Sequence, residues 1–125
     1  MMMKMTAIKF EAVPEFPKEL SSAIKKYQHL NEDFERFKKA LEINQPQEMR
    51  GIFRISDLGI NVKIPIYKVK HFRSQDFKGK GSKSGFRIIY AHMNEEHKII
   101  FIEFYHKNNK TNHDVKRIKK YFEDY

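Results

Sequence analysis

The sequence predicts an α+β fold in which an antiparallel β-sheet packs against an N-terminal helical hairpin and a C-terminal helix closes the chain. Three observations predict it. Apolar residues recur at helical spacing between Phe16 and Leu41. From Met49 onward the texture changes to short alternating runs bounded by turn residues. After Asn112 the helical spacing returns. With 125 residues there is room for one compact domain, residues 1–125, and neither a linker nor a repeat interrupts it. Eleven Phe and six Tyr supply a core despite a charged fraction of 33%.

Met5 to Phe10 alternates as a first strand, ending before Pro14 and Pro17. Pro17 suits the first position of a helix, whose stripe is Phe16, Leu20, Ile24 and Tyr27 with Ala23 on the same side. Asn31 is the expected N-cap of a second helix, with Glu32 and Asp33 in its first turn, where the macrodipole favours them. Phe34, Phe37 and Leu41 form its apolar stripe, and Pro46 sets its latest end. The short joint at Gln28–Asn31 implies an antiparallel hairpin.

Gly51–Ser56 reads as a short strand and Asp57-Leu58-Gly59 as a turn. A longer strand runs through Ile64, Ile66, Lys68 and Lys70, with Pro65 marking an edge or a strand start. Lys78 to Gly85 is a basic glycine-containing loop. Phe86–Met93 and Lys98–His106 are strands joined across Asn94–His97, and the nearly continuous apolar run Ile99–Phe104 suits a central strand buried on both faces. A last helix begins near Asn112, with Val115, Ile118 and Phe122 inward and Lys116, Lys119 and Lys120 outward. The expected order is β-α-α-β-β-β-α.

Charge is unevenly placed. The chain carries 25 basic and 16 acidic residues, a net +9. Between Lys63 and Arg87, eight basic residues face the single acid Asp76, so this stretch alone supplies +7. A solvated face normally mixes both signs, as residues 15–50 do. A stretch so poor in acid repels itself, and a polyanionic partner such as nucleic acid is the economical explanation. Arg73 and the loop residues Lys78, Lys80 and Lys83 belong to this basic surface.

Several chemistries are excluded. With no Cys there is no disulfide framework, no thiolate nucleophile and no thiolate metal site. Lys83-Ser84 follows Ser82 where a phosphate-binding loop requires Gly, and the loop joins strand to strand with no helix to hold a triphosphate. His92 and His97 flank a hairpin without a closed ligand set, so neither metal nor cofactor is expected. The start, Met1-Met2-Met3-Lys4-Met5, runs into charged sequence without a signal-peptide core, and no stretch is long enough to span a bilayer. The expected setting is the reducing cytoplasm.

Strand alternation places Lys68 and Lys70 on one face of their strand, and Arg87 with Ile89 on one face of the next. If they project from the open side of the sheet, their cations converge in one concavity. His106 ends the central strand beside Lys107. RNA suits such a site because it brings its own nucleophile. Attack of the 2′-hydroxyl on the adjacent phosphate needs a base, cations for the phosphorane, and an acid for the leaving oxygen. His106 can be acid or base, clustered Lys68 and Lys70 can hold the backbone or lose a proton, and Arg87 can clamp phosphate. Tyr67 or Tyr105 can stack an extruded base.

The segment Ser84-Gly85-Phe86-Arg87-Ile88-Ile89-Tyr90, the hairpin, the strand Ile99-Ile100-Phe101-Ile102-Glu103-Phe104-Tyr105-His106-Lys107 and the closing helix resemble the RelE/ParE superfamily of bacterial type II toxins. Tyr67-Lys68-Val69-Lys70 and the N-terminal strand with its helical hairpin extend the likeness to nearly the whole chain. The resemblance implies an mRNA endoribonuclease acting in the ribosomal A site and held inactive by a cognate acidic antitoxin. It implies phosphate contact for Arg87, catalytic function at His106-Lys107, and a lysine-rich middle strand at Lys68 and Lys70. No acid in that strand matches the base of some branches, so the chemistry leans on Lys and His. Two other functions share the features: a toxin that inhibits a protein such as gyrase on the same scaffold, and a non-catalytic RNA- or ribosome-binding module.

Overall fold

The computed structural model describes residues 7–45, 48–77 and 84–125. The chain order is β1 (Lys9–Ala12), α1 (Glu15–Lys26), α2 (Leu30–Ile43), β2 (Ile52–Arg54), β3 (Ile66–Val69), β4 (Phe86–Met93), β5 (Lys98–His106) and α3 (Val115–Phe122). Five strands form one sheet in the order β1-β5-β4-β3-β2. The α+β class is as expected, with two corrections. The sheet is mixed, because β1 runs parallel to β5 while every other pair is antiparallel. The five strands are also those read singly from the sequence, one more than the order β-α-α-β-β-β-α counts. A four-residue strand carries no sequence mark of its neighbour's direction; the helical hairpin decides it by carrying the chain away before β5 returns beside β1.

Helices α1 and α2 begin earlier than their sequence signals, and α3 begins later, at Val115 instead of near Asn112. In α1 the N-cap is Pro14, so Pro17 falls in the first turn, where a missing N–H costs nothing. In α2 the N-cap is His29 rather than Asn31. The His29 N–H donates to Asp76 Oδ2 at 3.1 Å, and its ring Nδ1 lies 3.0 Å from Asp76 Oδ1. Buried Asp33 accepts both the backbone N–H and the side-chain amide of Gln75, each at 3.0 Å. The start of α2 is thus fixed to the Gln75–Phe77 turn by tertiary partners instead of a local cap.

Phe16 and Phe34 from the hairpin meet Phe101 at centroid distances of 5.1 and 5.0 Å. Phe86 and Phe104 continue this layer, 5.2 Å apart. Every residue from Ile99 to Tyr105 is buried. Phe101 and Phe104 are three apart and would face opposite sides of a regular strand, yet both reach Phe16. A bulge reconciles them: Ile89 pairs with Glu103 and Tyr90 with Phe101, so Ile102 has no opposite residue. The same bulge sets Glu103 and Tyr105 on the face away from α1 and α2.

Beyond the end of β1, β5 loses its neighbour on that side. Phe104 N–H donates to Glu19 Oε1 at 3.1 Å, and Ile102 C=O accepts from Arg117 Nη1 at 2.8 Å. Arg117 also makes a forked contact with the Glu19 carboxylate, at 2.9 and 2.8 Å. These bonds satisfy exposed sheet-edge groups and tie α3 to α1. Asp114 caps α3 by accepting from Arg117 N–H, and Ile118 and Phe122 enter the core. Among the described residues, no helix is long and apolar enough to cross a membrane.

Candidate functional site

Strands β3, β4 and β5 bring Lys68, Arg87 and Tyr105 together on the sheet face opposite the hairpin. Lys68 pairs with Ile89, and Arg87 with Tyr105, so all four side chains share that face. Lys68 Nζ stands 5.9 Å from the centre of the Tyr105 ring. Arg87 Nη1 donates to the carbonyls of Lys70 and Phe86, at 3.1 and 3.4 Å, which orients the guanidinium across the strand ends. Lys70, His71, Gly85, Arg87 and Lys107 line a hollow of about 240 Å³, a wall rich in cations and, among the described residues, without an acid.

Glu103 organises the rest. It lies on the sheet face away from the hairpin, 1% exposed, and accepts from Lys110 Nζ and, at 2.8 Å, from Asp114 N–H. A buried carboxylate requires such partners. Meeting that requirement folds the segment after β5 back across the sheet, and this brings His113 to Lys68. His113 Nδ1 lies 3.3 Å from Lys68 Nζ. Lys110 Nζ lies 5.6 Å from the Tyr105 ring, on which both lysines therefore converge.

The electrostatics follow from this crowding. Burial, then Lys68, pulls the His113 imidazole below its ordinary range; Glu103 opposes the shift and Lys110 adds to it. Burial, then Lys70 and Arg87, pulls Lys68 down, again opposed by Glu103. The Tyr105 phenol is pushed up to about 12 by burial and by Glu103, against Arg87. Its hydroxyl is buried and, among the described residues, has no hydrogen-bond partner. The result is a lysine–imidazole pair that holds its protons loosely, beside a fixed guanidinium.

His106 is not in this group. It sits opposite Phe86 on the hairpin side, with ring centroids 5.2 Å apart, whereas Arg87 projects from the other side. Nδ1 accepts from Asn108 N–H at 3.1 Å, and Nε2 lies 2.9 Å from the Ser84 carbonyl, to which it donates. Both ring nitrogens are engaged in closing the strand end. The expectation that His106 joins Arg87 at one phosphate is therefore corrected: alternation puts residues 105 and 106 on opposite faces. Gly85 is required here, because its φ is +92° and a Cβ would stand 2.6 Å from His106 Nε2.

Of the other expected residues, Lys70 and Lys107 lie at the cationic hollow, and Tyr105 lies beneath the lysines. Tyr67 stacks on Tyr90 at 5.5 Å, on the hairpin side. Arg73 is exposed. Lys78, Lys80 and Lys83 lie outside the described residues. Sequence reasoning missed His113, Lys110, His71 and Glu103. A usable signal existed: a lone Glu inside the apolar run Ile99–Tyr105 requires a cation and an N–H from the segment that follows. Comparison of the chain with protein-family models, with curated proteins and with solved structures gives no match.

Proposed function

We propose that this chain is a toxin endoribonuclease of the RelE type, a member of the RelE/ParE superfamily that cuts mRNA in the ribosomal A site without a metal. Its cytoplasmic activity is restrained by an acidic antitoxin that covers the cationic face. One observation carries this: the Lys68–His113 contact at 3.3 Å, on the face that also presents Arg87. The acid whose charge acts on both members of the pair, Glu103, is already matched to Lys110 and Asp114 N–H.

The chemistry assigns each group a task. The Lys68–His113 pair takes the proton from the 2′-hydroxyl as the O2′–P bond forms. The P–O5′ bond breaks, and the pair returns the proton to O5′. The products are a 2′,3′-cyclic phosphate and a 5′-hydroxyl. Arg87 and Lys70 stabilise charge on the phosphorane oxygens, and Lys107 and His71 hold the adjoining backbone. Burial lowers the proton affinity of both Lys68 and His113 relative to an exposed lysine and imidazole, the direction that general-base work needs.

The test is to incubate the purified protein with translating ribosomes and with naked mRNA, and to analyse the new ends. Cyclic phosphate ends from the wild type, lost in Arg87→Ala, are the expected result. Salt-sensitive RNA binding without cleavage would indicate a binding module instead. Intact, unbound RNA alongside inhibited gyrase would indicate the protein-poisoning alternative.

A further inference from the structure

A second cleft lies on the hairpin side of the sheet, back to back with the cationic hollow. Its volume is about 390 Å³, within the size range of small-ligand sites. Along one rim run Lys18, Ser22 and Lys26, four residues apart on α1 and all exposed. The floor is aromatic: half-buried Tyr27 meets Phe86 at 5.1 Å, and Phe86 and Phe104, 5.2 Å apart, are themselves buried. Ala23 contributes only a methyl group, which keeps the cleft open. Glu19 also borders it, but its carboxylate is committed to Arg117 and to Phe104 N–H.

From this we infer that the cleft is a nucleotide subsite, which takes one unstacked base of the RNA against the aromatic floor and its phosphate on Lys18 and Lys26. The inference rests on the RNA function proposed above and goes beyond it, because the cleft lies on the hairpin side and has only Tyr105 in common with the Lys68–His113 group. Two features select this ligand class. The half-buried Tyr27 ring is the part of that floor a planar base can reach, and lysines at both ends of the rim select an anion. The two sites meet at the strand end: Gly85 lines the cationic hollow, His106 lines the cleft, and a Cβ on Gly85 would touch His106. A strand whose backbone crosses the hollow therefore has only this glycine-narrowed end to pass before its next base reaches the cleft.

The experiment is an NMR titration of the full chain with AMP, and with ribose 5-phosphate as the baseless control. RNA cleavage is assayed in parallel. AMP is expected to shift the Ala23, Tyr27 and Phe104 amides, and ribose 5-phosphate to leave them unmoved. Lys18→Glu/Lys26→Glu, at exposed positions, is expected to weaken AMP by about tenfold or more, and Ala23→Phe to abolish binding by filling the cleft. Arg87→Ala is expected to lose cleavage and keep AMP binding. Shifts confined to Lys70, His71 and Arg87, equal shifts with ribose 5-phosphate, or no shifts at all would overturn the subsite. RNA left intact by the wild type, with AMP still in the cleft, would overturn the nuclease function and leave the nucleotide subsite standing.

Discussion

The two faces of the β4–β5 pair are built from alternate residues of the same two strands, yet they do opposite work. On the hairpin side, Phe86, Phe104 and Phe101 interlock with the helices, and His106 is bound at both nitrogens. On the other side, Arg87 and Tyr105 stand with Lys68, and the imidazole present, His113, comes from a segment that Glu103 pulls back over the sheet. The lesson is that proximity in sequence to a basic strand end does not place an imidazole on the cationic face. Parity along the strand excludes His106, and one buried acid recruits His113.

Substitutions on the two faces should therefore separate stability from activity. The largest stability effect belongs to the hairpin side. Phe104→Ala should cost about 3–5 kcal/mol in urea unfolding, since the ring touches Phe16, Phe72 and Phe86; a loss below about 1 kcal/mol would mean that the layer is not the core. Next comes the acid that joins the faces. Glu103→Ala leaves Lys110 and Asp114 N–H without their partner and should cost about 1–3 kcal/mol. It should also free the His113 segment, seen as faster amide exchange across 107–114, while α1 stays protected.

A smaller effect is acid sensitivity. His113 is held below the usual imidazole range by burial and Lys68, and His92 by burial alone. The unfolded chain binds protons there that the fold refuses. Stability should thus fall as pH drops through the ordinary imidazole range, and the loss is complete below the lowered native values. Melts between about pH 7 and pH 5 should show a shallower decline for His113→Asn than for the wild type, with His92 supplying the remainder. Identical slopes would contradict the placement of His113.

Much of this was legible in the sequence, for identifiable reasons. The bounds of β4 and β5 coincide with the expected ones, because long apolar runs buried on both faces stand out against the polar turns that flank them. The shared face of Lys68 and Arg87 follows from the alternation of side chains along a strand. What failed needed partners remote in sequence: the parallel seat of β1, the His29 cap set by Asp76, and the bulge at Ile102. His106 misled because alternation was applied within β4 but not across to β5, where Tyr105 opposes Arg87. His113 falls inside the helix expected from Asn112, but the helix starts only at Val115, and the Asp114 N–H bond to Glu103 holds His113 over the sheet instead.

The central claim is that His113 serves the Lys68–Arg87 site and His106 does not. Single-turnover cleavage at saturating RNA compares them directly. His113→Ala should slow the chemical step by about 10²–10⁴-fold, and His106→Ala should stay within about tenfold of the wild type. The reverse ranking, with His106→Ala inactive and His113→Ala intact, would contradict the account.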